Sequence, residues 1–135
     1  MLLLDSEALS ALSHGPAARR DRVRALIFEM RRKQLPIATV AAVLAEVVRG
    51  RRADAAVFAG LRRDRVEVRA VDARVGVRAG QLLGQAGAGS ELAVDAFSVA
   101  VADLSGGGII ATADIKDLER LASYASSVEI ADIRG

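Results

Sequence analysis

The chain has 135 residues, 52% of them hydrophobic, and its 19 lysines and arginines against 17 acids give a formal net charge of +2. This length predicts one domain over residues 1–135, and the lack of cysteine excludes disulfides and thiolate metal sites. No apolar run is long enough to span a membrane and no signal-peptide pattern opens the chain, so we expect a cytoplasmic protein without a membrane partner.

Strand and helix patterns alternate along the chain. Apolar runs predict strands over 1–5, 35–38, 66–71, 109–112 and 128–130. Helical periodicity predicts helices over 7–13, 17–34, 40–48, 52–63, 73–85, 91–104 and 115–123. Ser6, Thr39 and Asp72 are the expected N-caps of the first, third and fifth helices. This alternation predicts an α/β domain with a parallel sheet and right-handed crossovers.

Acids with apolar neighbours mark a candidate site, and these are Asp5, Glu46, Asp95 and Asp114. A carboxylate that is partly removed from water must be paired, hydrogen-bonded, protonated or bound to a cation. Asp5 and Asp114 lie at the carboxyl ends of predicted strands. If the strand order is 3-2-1-4-5, those strands are neighbours at the point where the order reverses, which is where open parallel sheets bind ligands. Glu46 and Asp95 would reach the same crevice from helices.

Converging carboxylates without histidine or cysteine favour hard, oxygen-seeking ions, so we expect Mg²⁺ or Mn²⁺ as cofactor. Such ions activate water and stabilise the leaving oxygen in phosphodiester cleavage. In the absence of the ion the carboxylates repel one another, and at least one of them should have a raised pKa.

Structural interpretations of the same acids remain open at this point. Asp114 could be an N-cap that forms a capping-box-like pair with Asp117. Glu46 could face solvent and pair with Arg49 one turn later. Asp5 could simply end a strand.

The order of these segments resembles the PIN domain, and within it the VapC-like toxins, from about residue 2 to residue 133. Residues 3–6 (LLDS) are similar to the family's hydrophobic strand that ends in Asp-Thr/Ser, and residues 42–50 (AVLAEVVRG) to the helix that carries its second acid. Residues 79–96 are similar to the family's segment that carries its third acid. Residues 111–121 (ATADIKDLERL) resemble a stretch near the C-terminal end of the family's members.

The resemblance implies a PIN-like three-layer α/β/α domain with strand order 3-2-1-4-5. It also implies a metal-dependent endoribonuclease that hydrolyses RNA, is usually a homodimer, and is held inactive by a cognate antitoxin. Operator DNA would be bound only through the antitoxin complex.

Site residues follow from the same resemblance, residue by residue. The catalytic and metal-binding acids would be Asp5, Glu46, Asp95 and Asp114. Supporting roles would fall to Ser6 and Thr112 as hydroxyl helpers, although both also fit plain cap or turn positions, and to Asp117 as a supplementary acid. Arginines beside the crevice are candidates for gripping RNA phosphates, namely Arg49, Arg51 and Arg52. Glu7, Glu91 and the lone histidine, His14, are expected to face solvent.

Two other function classes compete with the nuclease. The chain could be an interaction module that acts mainly by binding its antitoxin and, as that complex, DNA. A phosphoacceptor receiver domain fits poorly, because it needs paired acids after the first strand and a lysine after a later one, and the only lysines are Lys33 and Lys116. Nucleotide-binding loops also fit poorly, because Gly106–Gly108 precedes a strand and no GK[ST] occurs.

Overall fold

The computed structural model describes residues 1–134, and its centre is a five-stranded parallel sheet. The strands are β1 (Leu2–Leu4), β2 (Ile37–Val40), β3 (Glu67–Arg69), β4 (Gly108–Thr112) and β5 (Val128–Asp132). Their order is β3-β2-β1-β4-β5, with every neighbouring pair parallel, which confirms the predicted order 3-2-1-4-5. The strand order therefore reverses between β1 and β4, where Leu3 pairs with Ile110.

Helices cover both faces of the sheet. They are α1 (Ser6–Ala11), α2 (Ala17–Arg32), α3 (Ala41–Val47), α4 (Asp54–Arg63), α5 (Ala73–Ala86), α6 (Ala93–Leu104) and α7 (Ile115–Ala122). Right-handed crossovers place α1–α4 on one face and α5–α7 on the other. In agreement with this, α1 packs against α2 and α3, and α6 packs against α5 and α7. No helix within residues 1–134 has the length and apolarity that crossing a bilayer requires.

The core lies on both sides of the central strands. Leu2, Leu3, Leu4 and Ile110 are at most 1% exposed. Strands covered on both faces need continuous apolar runs instead of an alternating pattern, and the opening run of three leucines has this character.

Two predicted caps are wrong. The N-cap of α1 is Asp5, whose Oδ1 accepts the backbone N–H of Ala8 at 2.8 Å, and Ser6 is the first helical residue. Thr39 lies inside β2, where its hydroxyl donates to the carbonyl of Leu4 at 2.7 Å. The second strand consequently ends two residues later than predicted, at Val40, because Thr39 belongs to the sheet and does not cap the helix that follows. The predicted cap at Asp72 is confirmed, since its Oδ1 accepts the N–H of Val75.

Candidate active site

The four candidate acids lie at one edge of the sheet, where the strands end. Asp5 follows β1 directly, and Asp114 follows β4 by two residues. Glu46 lies on α3, and Asp95 lies in the first turn of α6. The charges of Glu46 and Asp114 both raise the pKa of Asp95, and Asp95 in turn raises the pKa of Asp5. The acids therefore share one electrostatic environment, at the point where the strand order reverses.

Asp5 is the most deeply buried of these acids. It is 6% exposed, and burial raises its pKa to about 7. Hydrogen bonds from Thr112 and from the N–H of Ala8 stabilise the charged form and lower the pKa, while the negative charges of Asp95 and Glu7 raise it further. Desolvation is the largest of these effects, so near neutral pH this carboxyl exchanges its proton readily.

Asp95 is the electrostatic centre of the group. It is half-buried, and burial together with neighbouring negative charge raises its pKa to about 6. The charges that act on it are those of Glu46, Asp114 and Asp117, in decreasing order. Asp117, predicted as a supplementary acid, is thus within range of the other carboxylates.

Thr112 links two of the acids. This residue is fully buried, its Oγ1 accepts the backbone N–H of Asp114 at 2.9 Å, and its hydroxyl donates to the carboxyl of Asp5. One side chain thereby interacts with both the carboxyl of Asp5 and the backbone that leaves β4 towards Asp114. This arrangement is consistent with the hydroxyl-helper role expected from the sequence.

The structure contradicts the capping interpretation of Asp114 and the ion pair suggested for Glu46, but Glu46 does face solvent. Asp114 occupies the N-cap position of α7, but its side chain makes no capping hydrogen bond. Glu46 is exposed and, within the described part of the chain, forms no ion pair with Arg49. Arg49 instead donates through Nη1 to the carbonyls of Ala45 and Val48, at 2.7 and 2.9 Å.

The loop after α3 is held by an acid that sequence reasoning missed. The carboxylate of Asp54 accepts the backbone N–H groups of Arg49, Gly50 and Arg51 at 2.6–3.2 Å, and these bonds lower its pKa. Gly50 has φ +74°, a conformation that glycine adopts without strain. An acid a few residues after Arg-Gly is the signal that could have identified this loop. Arg51 and Arg52 are exposed on it.

The remaining candidates lie around this group. Ser6 is half-buried next to Asp5, and His14 is exposed as expected. Glu7 is exposed and pairs with Arg19 at 3.4 Å. Glu91 lies in a 3-10 turn (Ser90–Leu92) that precedes α6, where its carboxylate accepts the N–H of Gly89 at 3.1 Å. The predicted helix over 91–104 therefore begins later, and Glu91 does not share a helix face with Asp95.

The donor chemistry of the site fits a divalent cation. The candidate ligands are all carboxylate oxygens, which Mg²⁺ and Mn²⁺ prefer, and after burial their mutual repulsion contributes to the raised pKa of Asp95. The side chains are more widely spaced than a ligand set, because residues 1–134 contain no group of three or more His, Cys, Asp or Glu side chains close enough to hold an ion. The type and charge of these side chains therefore suit a divalent cation, but the distances between them are larger than in a set of metal ligands.

Comparison with solved structures identifies the fold. One similar chain belongs to the crystal structure of VapBC2 from Rickettsia felis bound to a DNA fragment from their promoter, with 19% identity, a TM-score of 0.66 and coverage of 97% of this chain and 98% of that chain. A second belongs to DNA-bound VapBC from Salmonella typhimurium, with 19% identity, a TM-score of 0.64 and coverage of 98% and 97%. The sequence matches no protein-family model and no curated protein. The likeness confirms the predicted PIN-like α/β/α fold.

Proposed function

We propose that the chain is a metal-dependent endoribonuclease and the toxin of a toxin–antitoxin pair. The observation that supports this most strongly is the grouping of carboxylates from four separate segments at the reversal of strand order, where burial, with a smaller contribution from neighbouring negative charge, raises the pKa of Asp5 to about 7 and that of Asp95 to about 6. Strongly perturbed acids in a crevice are characteristic of functional sites. Helix capping accounts for Asp5 but not for Asp114, whose side chain makes no capping bond, and capping does not explain why acids that repel one another are grouped.

Asp5, Glu46, Asp95 and Asp114 are the residues that would hold one or two Mg²⁺ or Mn²⁺ ions. When bound, such an ion supplies an activated water and stabilises the leaving oxygen of the RNA phosphodiester. The chain contributes orientation, because Thr112 fixes the carboxyl of Asp5 by a hydrogen bond. Ser6 and Asp117 are proposed as supporting groups beside these acids.

RNA must approach a negatively charged crevice, so the chain needs cations at its rim. Arg51 and Arg52 are exposed on the loop that Asp54 fixes next to α3, the helix that carries Glu46. We propose that these two arginines contact phosphates of the substrate. Arg49, the third arginine expected from the sequence, uses Nη1 to bond two backbone carbonyls, and its Nε and Nη2 donors are proposed for the same role.

The proposed partner is a small antitoxin protein, which would bring the complex to operator DNA, and a homodimer is the proposed assembly of the chain itself. Support for the antitoxin and for DNA binding through the complex comes from both structural neighbours, which belong to VapBC complexes crystallised with DNA. The same observation favours a second candidate function, a binding module with weak catalysis that works through its complex.

Copurification with a partner that suppresses cleavage supports the toxin; binding to a partner without any cleavage by the free chain supports the module.

Cleavage of RNA by the purified chain tests the nuclease directly. We expect cleavage of structured RNAs that requires Mg²⁺ or Mn²⁺, stops in EDTA and is abolished in Asp95→Asn. Asp64→Asn is the matched control, because Asp64 follows α4 at the opposite edge of the sheet and should leave the rate unchanged. If Asp95→Asn cleaves as fast as the wild type, the proposed site is wrong.

A further inference from the structure

The chain beyond β5 is fixed beside the acid cluster. Ile133 is fully buried and donates its backbone N–H to the carbonyl of Thr112 at 2.9 Å. Because the parallel register pairs Thr112 with Asp132, the next residues of the two segments leave the sheet side by side. Arg134 and Asp114 each lie two residues beyond this pair. The backbone therefore places Arg134 beside the segment that carries Asp114, at the edge of the sheet where the acids lie.

The guanidinium of Arg134 is held in one orientation. Its Nε donates to Oδ1 of Asp132 at 3.0 Å and its Nη2 donates to Oδ2 at 2.8 Å, a two-point contact. Arg134 lowers the pKa of Asp132 to about 2, so the pair stays charged at any pH of interest. An arginine has five N–H donors, and this contact leaves three of them available. The side chain is 53% exposed.

A second guanidinium reaches the same place from α2. Nη2 of Arg22 donates to the backbone carbonyl of Asp132 at 3.2 Å, and Arg22 is exposed. The crossover from β1 to β2 makes α2 run back from the edge of the sheet that carries the acids, so its first turns lie at that edge. Two arginines thus flank one carboxylate, and the local net charge is positive next to an acidic crevice.

We propose that Arg22 and Arg134 form a binding site for a backbone phosphate of the RNA, on the β5 side of the crevice. This inference rests on the proposed function and adds a substrate-positioning element to it. A guanidinium fork suits phosphate geometry, and one that is already immobilised loses little side-chain entropy on binding. The phosphate bound there would be a neighbour of the one that is cleaved, because the acids lie further along the crevice.

The arginines after α3 and this pair lie on opposite sides of the acids. β2, which precedes α3, and β5 are separated in the sheet by β1 and β4. A strand of RNA that contacts both sides must cross the ends of β1 and β4, above Asp5 and Asp114. The two basic rims would therefore align a single-stranded segment across the proposed catalytic acids.

Binding of RNA in EDTA tests the pair separately from catalysis. We would measure the fluorescence anisotropy of an end-labelled single-stranded RNA with wild type, Arg22→Gln, Arg134→Gln and the double variant. Each single change is expected to weaken binding about fivefold and to reduce the salt dependence by about one phosphate contact. Arg31→Gln is the matched control, because Arg31 is exposed at the other end of the same helix and should bind like wild type.

Further variants keep the outcome decisive. Arg134→Lys keeps the charge but loses the two-point contact, so it should fall between wild type and Arg134→Gln. In cleavage assays KM should rise with little change in kcat, which a general loss of folded protein would not produce. If the double variant binds RNA as wild type does, or if wild type shows no RNA binding in EDTA, the inference is wrong. RNA binding that needs both arginines without any cleavage would support the inference and contradict the nuclease.

Discussion

Asp5 combines a structural and a proposed catalytic role in one carboxyl group. Its Oδ1 caps α1 through the N–H of Ala8, and the same group accepts the hydroxyl of Thr112. The cap holds Oδ1 at the first turn of the helix. Burial opposes the charge that both roles need, which is the reason for its raised pKa.

The stability of the chain in EDTA should fall as the pH rises from about 4 to about 7. Between these values the unfolded chain has lost the protons of Asp5 and Asp95, while the folded chain still holds them, so folding becomes less favourable with rising pH. At about 1.4 kcal/mol per pKa unit, Asp5 accounts for a loss on the order of 2–4 kcal/mol. Urea denaturation across this range measures the effect.

Asp5→Asn is the control for this pH dependence, because the amide keeps an acceptor for Ala8 without a titrating group. Its stability should vary much less between pH 4 and 7. Asp54 and Asp103 have lowered pKa values, so they oppose this trend only near pH 4, where the unfolded chain partly protonates them, and they affect wild type and variant equally. Parallel pH profiles for the variant and the wild type would show that Asp5 is not the titrating group.

Thr112→Val should damage both the fold and the proposed activity. The change removes the hydroxyl that Asp5 and the N–H of Asp114 share in a fully buried position, and such a loss costs about 1–3 kcal/mol. Urea denaturation and RNA cleavage measure the two effects. Thr112→Ser keeps the hydroxyl and should retain most of the activity, so equal loss in both variants would mean that the methyl group and not the hydroxyl matters.

At the scale of the elements, the loop between α3 and α4 depends on one carboxylate. Asp54→Ala should destabilise the chain by about 1–2 kcal/mol, because three backbone N–H groups lose their acceptor. Hydrogen exchange of the amides of residues 49–51 should rise most. Protection of these amides that does not change in the variant would contradict this role of Asp54.

The elements that the sequence predicts well are those whose pattern is local. Periodicity and capping rules place three features close to where the structure has them. These are the leucine run of β1, the cap at Asp72 and the apolar strand β4. Thr39 was misassigned because threonine suits both an N-cap and a strand, and its partner, the carbonyl of Leu4, is 35 residues away. The choice between the two roles is made by the packed sheet.

In the candidate site, too, the sequence predicts what depends on local pattern or topology and misses contacts between distant residues. Asp5 and Asp114 could be brought together in advance, because parallel topology alone places strand ends at one edge. The pairing of Arg22 with the carbonyl of Asp132 spans 110 positions in the sequence and leaves no local pattern. Asp54 had a local signal, but charge and spacing alone do not show that its carboxylate turns back to three backbone N–H groups.

At the scale of the whole molecule, a cation bound by acids from β1, α3, α6 and the end of β4 would tie both layers of helices to the sheet. Mn²⁺ at a hundred times its dissociation constant should therefore raise the free energy of unfolding by about 2.7 kcal/mol and increase Tm. Thermal unfolding with and without Mn²⁺ measures this, with Asp64→Asn as control. An equal increase in Asp95→Asn would place the cation elsewhere.

The position of β4 in the sheet also bears on how the protein is made. β1 pairs with β2 on one side and with β4 on the other, yet β4 begins only at Gly108. During synthesis, a growing chain that has not reached Gly108 lacks Asp114 and leaves one side of β1 without a partner strand, a surface prone to aggregation. The proposed nuclease would therefore become active only once most of the chain has left the ribosome, whose own RNA is a potential substrate nearby.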